Sequence, residues 1–143
     1  MLELIVERLI AEATNLTAVE IAEDIDAMAE RAGTVETGSV IIMPLREAAE
    51  PNVNATGGHR QRVRVQFLTG IVIRHYDDAM GAERAKSFDS YKAAVERALT
   101  GWEPDPYADP CSLVAGESSP VSTGVSIYVQ TWETARFLTG ALT

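Results

Sequence analysis

The chain has 143 residues, 46% of them apolar, and a formal net charge of −9 at pH 7. This length suits one domain rather than two, and the apolar content is typical of a folded globule. The negative charge argues against a protein that grips nucleic acid, which needs a cationic surface. The single cysteine, Cys111, cannot form an internal disulfide, which suits a reducing cytoplasm, and no apolar run is long enough to span a membrane.

The first residues predict an amphipathic helix. Glutamates and one arginine occupy one side of it, and apolar residues recur three or four positions apart on the other. The apolar stripe consists of Leu2, Ile5, Val6, Leu9, Ile10 and Ala13. Asn15 is expected to end this helix in the left-handed conformation.

A short strand and a second helix are expected next. Residues 19–21 alternate between apolar and charged, which indicates a strand. Asp24 is a good N-cap for a brief helix that continues to about Ala32 and ends at Gly33.

The middle of the chain predicts a buried strand followed by a loop. Residues 39–43 are apolar on both faces, so they indicate a central strand with Pro44 near its end. Residues 46–58 are polar and end in a glycine pair, so we expect a loop. It is either a mobile hairpin tip or an arm that becomes ordered only against a neighbouring subunit.

The longest regular stretch is a strand followed by a helix. From 60 to 75 the odd positions are mostly apolar and the even positions mostly polar, which predicts one buried face and one mostly solvated face. The connection from Met43 to Gln61 suits an antiparallel hairpin. A helix with one apolar stripe follows and ends at Gly101. The stripe consists of Ala85, Phe88, Tyr91, Val95 and Leu99, and Phe88 is expected to be well buried.

The last third predicts mainly extended structure. Residues 103–110 hold three prolines and are expected to form a stiff, extended connection. A short strand at 113–115, a turn at 118–120 and a strand over 125–137 follow. The tail at 139–143 is expected to fray.

These elements predict one α/β (α+β) domain over residues 1–143. Its mixed, largely antiparallel sheet is expected to be covered on one side by the N-terminal helix and the 80–100 helix. A long hairpin or loop arm, residues 46–58, extends from it.

The sequence gives no catalytic, cofactor-binding or metal site. His75 with Asp77 and Asp78 has the composition of a metal site, but carboxylates at a strand-to-helix junction are more simply a helix N-terminus. Cys111 has no adjacent base or cation to activate it. The serine-rich run at 116–120 lacks a nucleophile elbow, so the protein is not expected to be an enzyme.

Two features suggest protein contacts. Arg60, Arg62 and Arg64 share one strand face. This face is either solvated, or an edge whose charge prevents aggregation, or an arginine ladder that pairs with an acidic neighbour. Trp102 is either a lid on the end of the long helix or an interface anchor.

Several segments together resemble the tail terminator proteins of long-tailed bacteriophages. They are residues 2–9, 22–24, 40–45, the loop ending at Gly57, 60–63, 95–104 and 131–134. The helix end Ala98-Leu99-Thr100-Gly101-Trp102-Glu103-Pro104 is similar to a family signature, "Ala-Leu-x-Gly-Trp-x-Pro". Glu133 departs from the aspartate expected in the closing strand, where no chemistry depends on it.

The resemblance implies a virion protein of the tail-neck region, assembled in the host cytoplasm. It implies a homo-oligomeric ring, usually a hexamer, that caps the tail tube, stops tube polymerisation and offers a docking face to the head connector. DNA would pass through the channel without sequence-specific binding. A head–tail joining or tail completion protein and a host adaptor domain are the alternatives. The candidate interface residues are Arg60, Arg62, Arg64, Asn52, Asn54, Gly57 and Trp102.

Overall fold

The computed structural model describes residues 1–54, 57–74, 81–105 and 108–140, with the backbone alone at 81–84. Within these ranges the chain forms three helices and five strands. In chain order they are α1 (Leu2–Glu12), β1 (Ala18–Ile21), α2 (Ile25–Ala32), β2 (Ser39–Ala49), β3 (His59–Arg74), α3 (Gly81–Leu99), β4 (Asp109–Ser122) and β5 (Val125–Gly140).

The strands form one sheet in the order β1-β2-β3-β5-β4. β1 and β2 pair parallel, and the other neighbours pair antiparallel. The expected hairpin is confirmed, because Ile41 lies opposite Gly70 and Glu47 lies opposite Val65 in an antiparallel register. The chain is therefore the predicted single α+β domain with a mixed, mostly antiparallel sheet.

Helices cover both faces of the sheet. The α1–α3 core lies between one face and helices α1 and α3, and it buries Ile5, Leu99 and Ile71. The α2 core lies on the opposite face and buries Met28 and Val72. Adjacent residues of β3 enter different cores because successive side chains of a strand point to opposite faces. The sequence predicted the layer formed by α1 and α3 and missed the second layer, formed by α2.

The second layer corrects the prediction for β3. Residues 67–73 are buried on both faces, and the predicted solvated face is confined to the first part of the strand, where Arg60 and Arg64 are exposed. Leu68 and Val72 are buried because α2 covers them. Even Arg74 is half-buried, and its guanidinium donates to the carbonyl oxygen of Val35 at 2.6 Å.

Helix α1 forms where the stripe predicts, but two details differ. Ile5, Leu9 and Ala13 are buried, whereas Ile10 is 60% exposed and was wrongly placed in the core. The helix ends at Ala13, whose N–H donates to Leu9, and Asn15 does not adopt the left-handed conformation, since every described residue with positive φ is a glycine.

Helix α2 has the predicted cap. The Asp24 carboxylate accepts a hydrogen bond from the Ala27 N–H at 2.8 Å, which satisfies one of the free donors of the first turn. The helix ends at Gly33 as expected, but Gly33 keeps a right-handed φ of −71°.

Strand β2 continues past Pro44, which corrects the predicted strand end. A register shift between Pro44 and Arg46 accommodates the proline, which has no N–H to donate. The strand then runs to Ala49, so residues 46–49 of the predicted loop belong to the sheet. The connection between β2 and β3 is shorter than predicted and covers 50–58, of which 55 and 56 lie outside the described residues.

Strands β4 and β5 are also longer than predicted. β4 is one strand from Asp109 to Ser122 and replaces the short strand and the turn expected at 118–120. The last two residues of the proline-rich connection, 109 and 110, belong to it. β5 reaches Gly140, so Thr139 and Gly140 do not fray, and 141–143 lie outside the described residues. The partner strand supplies the hydrogen bonds that extend both strands, and local sequence does not reveal it.

Helix α3 presents most of its predicted stripe to the sheet. Val95 and Leu99 are fully buried, and Gly101 follows the helix with the expected left-handed φ of 76°. The first turns depart from the prediction, because Ala85 is exposed and Phe88 is only half-buried. The Phe88 ring stands edge-on to Tyr128, with the ring centroids 5.0 Å apart.

Replacing Phe88 by alanine should therefore lower the free energy of unfolding by about 1–2 kcal/mol, below the 3–5 kcal/mol typical of a fully buried phenylalanine. Leu99→Ala in the same helix is the matched control and should cost about 2–5 kcal/mol. Urea unfolding followed by circular dichroism measures both. A larger loss for Phe88→Ala than for Leu99→Ala would contradict the observed packing.

Candidate interaction surface

The predicted arginine row lies at the outer part of β3, on the face that carries the α2 core further along the strand. Arg60, Arg62 and Arg64 occupy alternate positions, so their side chains leave the same face of the sheet. The structure gives each of them different surroundings.

Arg62 is paired within the chain. Its Nε donates to the Asp109 carboxylate at 2.9 Å, and its Nη1 forms an ion pair with Glu50. Hydrogen bonds to Asp109 and then to Glu50 raise the pKa of Arg62 above its usual value. The side chain thus links three separate parts of the sheet, β3, the end of β2 and the start of β4. The carboxylates that pair with this arginine belong to the same chain, and a pairing with a neighbouring subunit stays a prediction.

Arg60 is held by an aromatic ring and by the loop. Its guanidinium carbon lies 4.3 Å from the centroid of the Phe137 ring, a cation–π distance. Its backbone N–H donates to the Asn52 side-chain oxygen at 2.8 Å. Arg60 therefore lies against β5 and helps to fix the base of the 50–58 connection.

Arg64 is exposed and, within the described ranges, has no carboxylate partner. The same is true of Arg46 on the neighbouring strand. The register pairs Arg46 with Gln66 and Ala48 with Arg64, so the two arginines lie diagonally on one face. Together they line a depression of about 100 Å³.

The 50–58 connection is shaped by Asn52. Its side-chain oxygen accepts from the Asn54 N–H at 3.2 Å, and its amide donates back to the Asn54 carbonyl at 3.1 Å. Val53 between them is 74% exposed, and Gly57 adopts a φ of 76°. The predicted loop residues Asn52, Asn54 and Gly57 are thus near the tip of the β2–β3 hairpin, with the asparagines forming a local turn.

Trp102 lies directly after α3, about half-buried against the α1–α3 core. Arg8 of α1 stacks over it, 5.5 Å from its centroid. Its backbone joins the start of β4, since the Cys111 N–H donates to the Trp102 carbonyl at 2.8 Å. Trp102 therefore lies at the end of α3, on the opposite face of the sheet from the arginine row, and Arg8 covers its ring.

Sequence reasoning missed an apolar groove on the α2 face. It has a volume of about 510 Å³ and lies between α2 and strands β4 and β5. Its walls include Ile25, Met28, Leu45, Leu68 and Val129. Ile25 is 58% exposed and Leu45 43% exposed, which leaves apolar surface in water. Residues from five elements or connections build this groove, so no single stretch of sequence could indicate it.

Potential reactive groups are inert or solvated where they are described. The Cys111 thiol is buried, and burial raises its pKa from 9.0 to about 12, so it stays protonated at neutral pH. Nε2 of His59 lies 2.7 Å from the Gln61 side-chain oxygen. No three His, Cys, Asp or Glu residues of the described ranges converge as metal ligands. The segment with His75, Asp77 and Asp78 lies outside those ranges.

None of the helices described is long and apolar enough to cross a membrane. The surface features of the described residues are an apolar groove, two arginines without an ion pair and a hairpin tip. Such features are typical of surfaces that contact other protein chains. These features are the candidate protein-binding surfaces of the α+β domain.

Comparison with known proteins identifies the family. A family model described as "Phage tail terminator protein" matches residues 1–140. The chain belongs to the phage tail terminator family, whose members are structural proteins rather than enzymes, and it is a component of the virion tail. The predicted resemblance is confirmed.

Comparison with solved structures supports the fold. One similar chain belongs to a structure titled "Virion of native gene transfer agent (GTA) particle", with a TM-score of 0.54 and 12% sequence identity. The match covers 92% of this chain and 90% of that chain, and at this identity it shows the shared fold alone. A comparison with curated proteins gives no match.

Proposed function

We propose that this protein forms a closed ring, a hexamer, on the last ring of the tail tube in the neck of the virion. The ring stops tube polymerisation and presents the docking face for the head connector. The observation that carries the proposal is the family match over residues 1–140, because it covers nearly the whole chain rather than one motif.

Surface chemistry supports an assembly role. An apolar groove and exposed apolar side chains such as Ile25 and Val53 are unfavourable in water and become favourable when another chain covers them. The charges of the arginine depression are likewise unneutralised in the described part of the chain.

The net charge supports a channel that DNA traverses. A formal charge of −9 per chain makes the assembled surface repel phosphate groups. A genome would then slide through the ring without being bound, and no sequence-specific contact is needed.

Electron microscopy and native mass spectrometry of the purified protein, with and without polymerised tube protein, test the proposal. Closed rings and binding to tube ends are expected. Tubes polymerised in the presence of the protein should be shorter and more uniform in length than tubes polymerised without it. Binding to capsid portal complexes without binding to tubes would instead assign the protein to head–tail joining or tail completion. A monomer that binds neither would contradict the proposal.

The hairpin tip provides a second test. Deleting residues 52–57 should keep the sheet from the Glu50–Arg62 pair inward, because this main-chain pairing lies outside the deletion, while residues 58–61 leave the end of β5 and form the shortened turn. Thermal melting should therefore stay close to that of the unmodified protein, whereas ring closure or tube capping should fail. Thr123→Ala, in the exposed turn between β4 and β5, is the control and should leave assembly unchanged. Normal rings and tube lengths from the deletion variant would place the contacts elsewhere.

A further inference from the structure

Ile10 lies on the solvent-exposed side of α1. Its side chain is 60% exposed on α1, although its sequence pattern suits a buried position. Glu3 lies two turns and Glu7 one turn before Ile10, so the three residues follow i, i+4 and i+7 spacing and share one outer stripe of the helix. We call Glu3, Glu7 and Ile10 the α1 stripe.

The charges of the α1 stripe are unbalanced within the described chain. Neither glutamate has an ion-pair or hydrogen-bond partner there, whereas the neighbouring Arg8 pairs with Glu12. Like charges at i and i+4 destabilise a helix. The stripe is thus an apolar side chain next to two unneutralised carboxylates.

An apolar groove next to two arginines lies on the other face of the sheet. The apolar groove beside α2 contains Leu68 and Thr131, which face each other across β3 and β5. The next row of the same face holds Gln66 and Glu133, which line the depression of Arg46 and Arg64. The groove and the depression are therefore consecutive parts of one surface, which we call the α2-face surface.

The α2-face surface is cationic at one end. Arg46 and Arg64 lie diagonally across two strands, an arrangement in which the Cα atoms are typically about 7–8 Å apart. Glu133 is the carboxylate of the depression, but it accepts a hydrogen bond from Gln66 and forms no ion pair with either arginine. Neither guanidinium group has an ion pair among the described residues, so a carboxylate of another chain would be attracted to them.

We infer that the α2-face surface binds the α1 stripe of a second copy of this chain, with Ile10 over the apolar groove and Glu3 and Glu7 on Arg46 and Arg64. Each side supplies what the other lacks. The groove removes Ile10 from water, and the guanidinium groups offer paired N–H donors to the carboxylates. The net charge of −9 makes this cationic site a minority feature, so another copy of the same acidic chain is a suitable partner.

The placement of these surfaces determines the kind of assembly. α1 packs on the face of the α1–α3 core, and the groove lies on the face of the α2 core. Two different patches of each chain are used, so the contact is heterologous and each copy can bind a neighbour on both sides. Such contacts close into a ring when the rotation between copies allows. This inference rests on the proposed ring and assigns its subunit contact.

Charge reversal tests the contact. The groove variant is Arg46→Glu with Arg64→Glu, and the stripe variant is Glu3→Lys with Glu7→Lys. Each should raise the dissociation constant between subunits at least tenfold, because like charges then face each other. Lys86→Glu with Arg97→Glu is the control, since both residues are exposed on α3 and the change in net charge equals that of the groove variant. Circular dichroism melting verifies the fold of each variant.

Rescue distinguishes the proposed contact from general charge effects. A chain carrying all four substitutions should again form rings, since its reversed groove faces a reversed stripe. An equimolar mixture of the two double variants should form rings with alternating subunits, in which every contact is complementary. Native mass spectrometry separates these species by mass.

The outcomes separate this inference from the proposed function. The proposed contact would be overturned if either double variant forms rings by itself, or if the folded variants are not rescued by the complementary substitutions. The ring proposal would still stand. If the unmodified protein forms no rings on its own or on tubes, both the proposed function and this contact are wrong. If the α2-face surface binds a tube or connector protein instead, the variants should assemble into normal rings that fail to bind that partner.

Discussion

Replacing Trp132 by alanine is expected to lower the free energy of unfolding by about 3–5 kcal/mol. Trp132 is fully buried in the α1–α3 core, opposite Phe67 in the central pair of strands. Its indole N–H donates to the hydroxyl oxygen of Thr69 at 3.1 Å, and Thr69 is itself fully buried. The substitution removes a large apolar side chain and leaves a buried hydroxyl without this donor.

Urea unfolding followed by circular dichroism measures this loss independently of tryptophan fluorescence. Trp102→Ala is the matched control, because it removes the same side chain from a half-buried position and should cost clearly less. Trp132→Phe should fall between the two, since it keeps most of the volume and loses the hydrogen bond to Thr69. Equal losses for the two alanine variants would show that Trp132 does not occupy the centre of the core.

Gly38→Ala is expected to cost about 2–5 kcal/mol, from backbone strain and overpacking together. Gly38 has a φ of 88°, a conformation that side chains disfavour. A methyl group there would lie 2.6 Å from the Thr17 hydroxyl oxygen and 2.7 Å from the Tyr91 ring. To relieve the clash, either the Tyr91 ring or α3, which carries it, must move away from the start of β2.

Gly101→Ala separates these two causes. Gly101 also has a positive φ, 76°, but a methyl group there would meet no atom of the described residues within 4 Å. The expected cost is only about 1–2 kcal/mol, from the backbone conformation alone. The difference between the two variants, measured by chemical unfolding, is then the cost of the contacts at Gly38. Equal losses would contradict the close approach of Thr17 and Tyr91.

The candidate surface was only partly predictable. The pattern of β3 indicated Arg60, Arg62 and Arg64 on one face, and the structure agrees. It could not indicate that Arg62 is paired internally, because its partner Asp109 lies 47 residues further along the chain. The role of these residues and of Asn52, Asn54, Gly57 and Trp102 in subunit contacts stays a prediction.

The sequence by itself determined the features that depend on near neighbours. Asp24 caps α2 because the N–H it satisfies is three residues away, and Gly101 follows α3 because the left-handed conformation is a property of one residue. Periodicity likewise predicted the stripe of α3 that contains Val95 and Leu99. Such interactions span one helical turn or a few strand positions, so they can be predicted without knowledge of the fold.

Only the tertiary structure decided which faces are covered. The prediction for β3 failed at Leu68 and Val72, because α2 folds onto that face, and the placement of Ile10 failed, because no described element packs over it. β4 extends to Ser122 because β5 supplies its hydrogen bonds. Burial and strand length depend on surfaces brought together from distant parts of the chain. An amphipathic pattern shows only that a face is suited to burial, and it does not show whether the same chain or another chain covers that face.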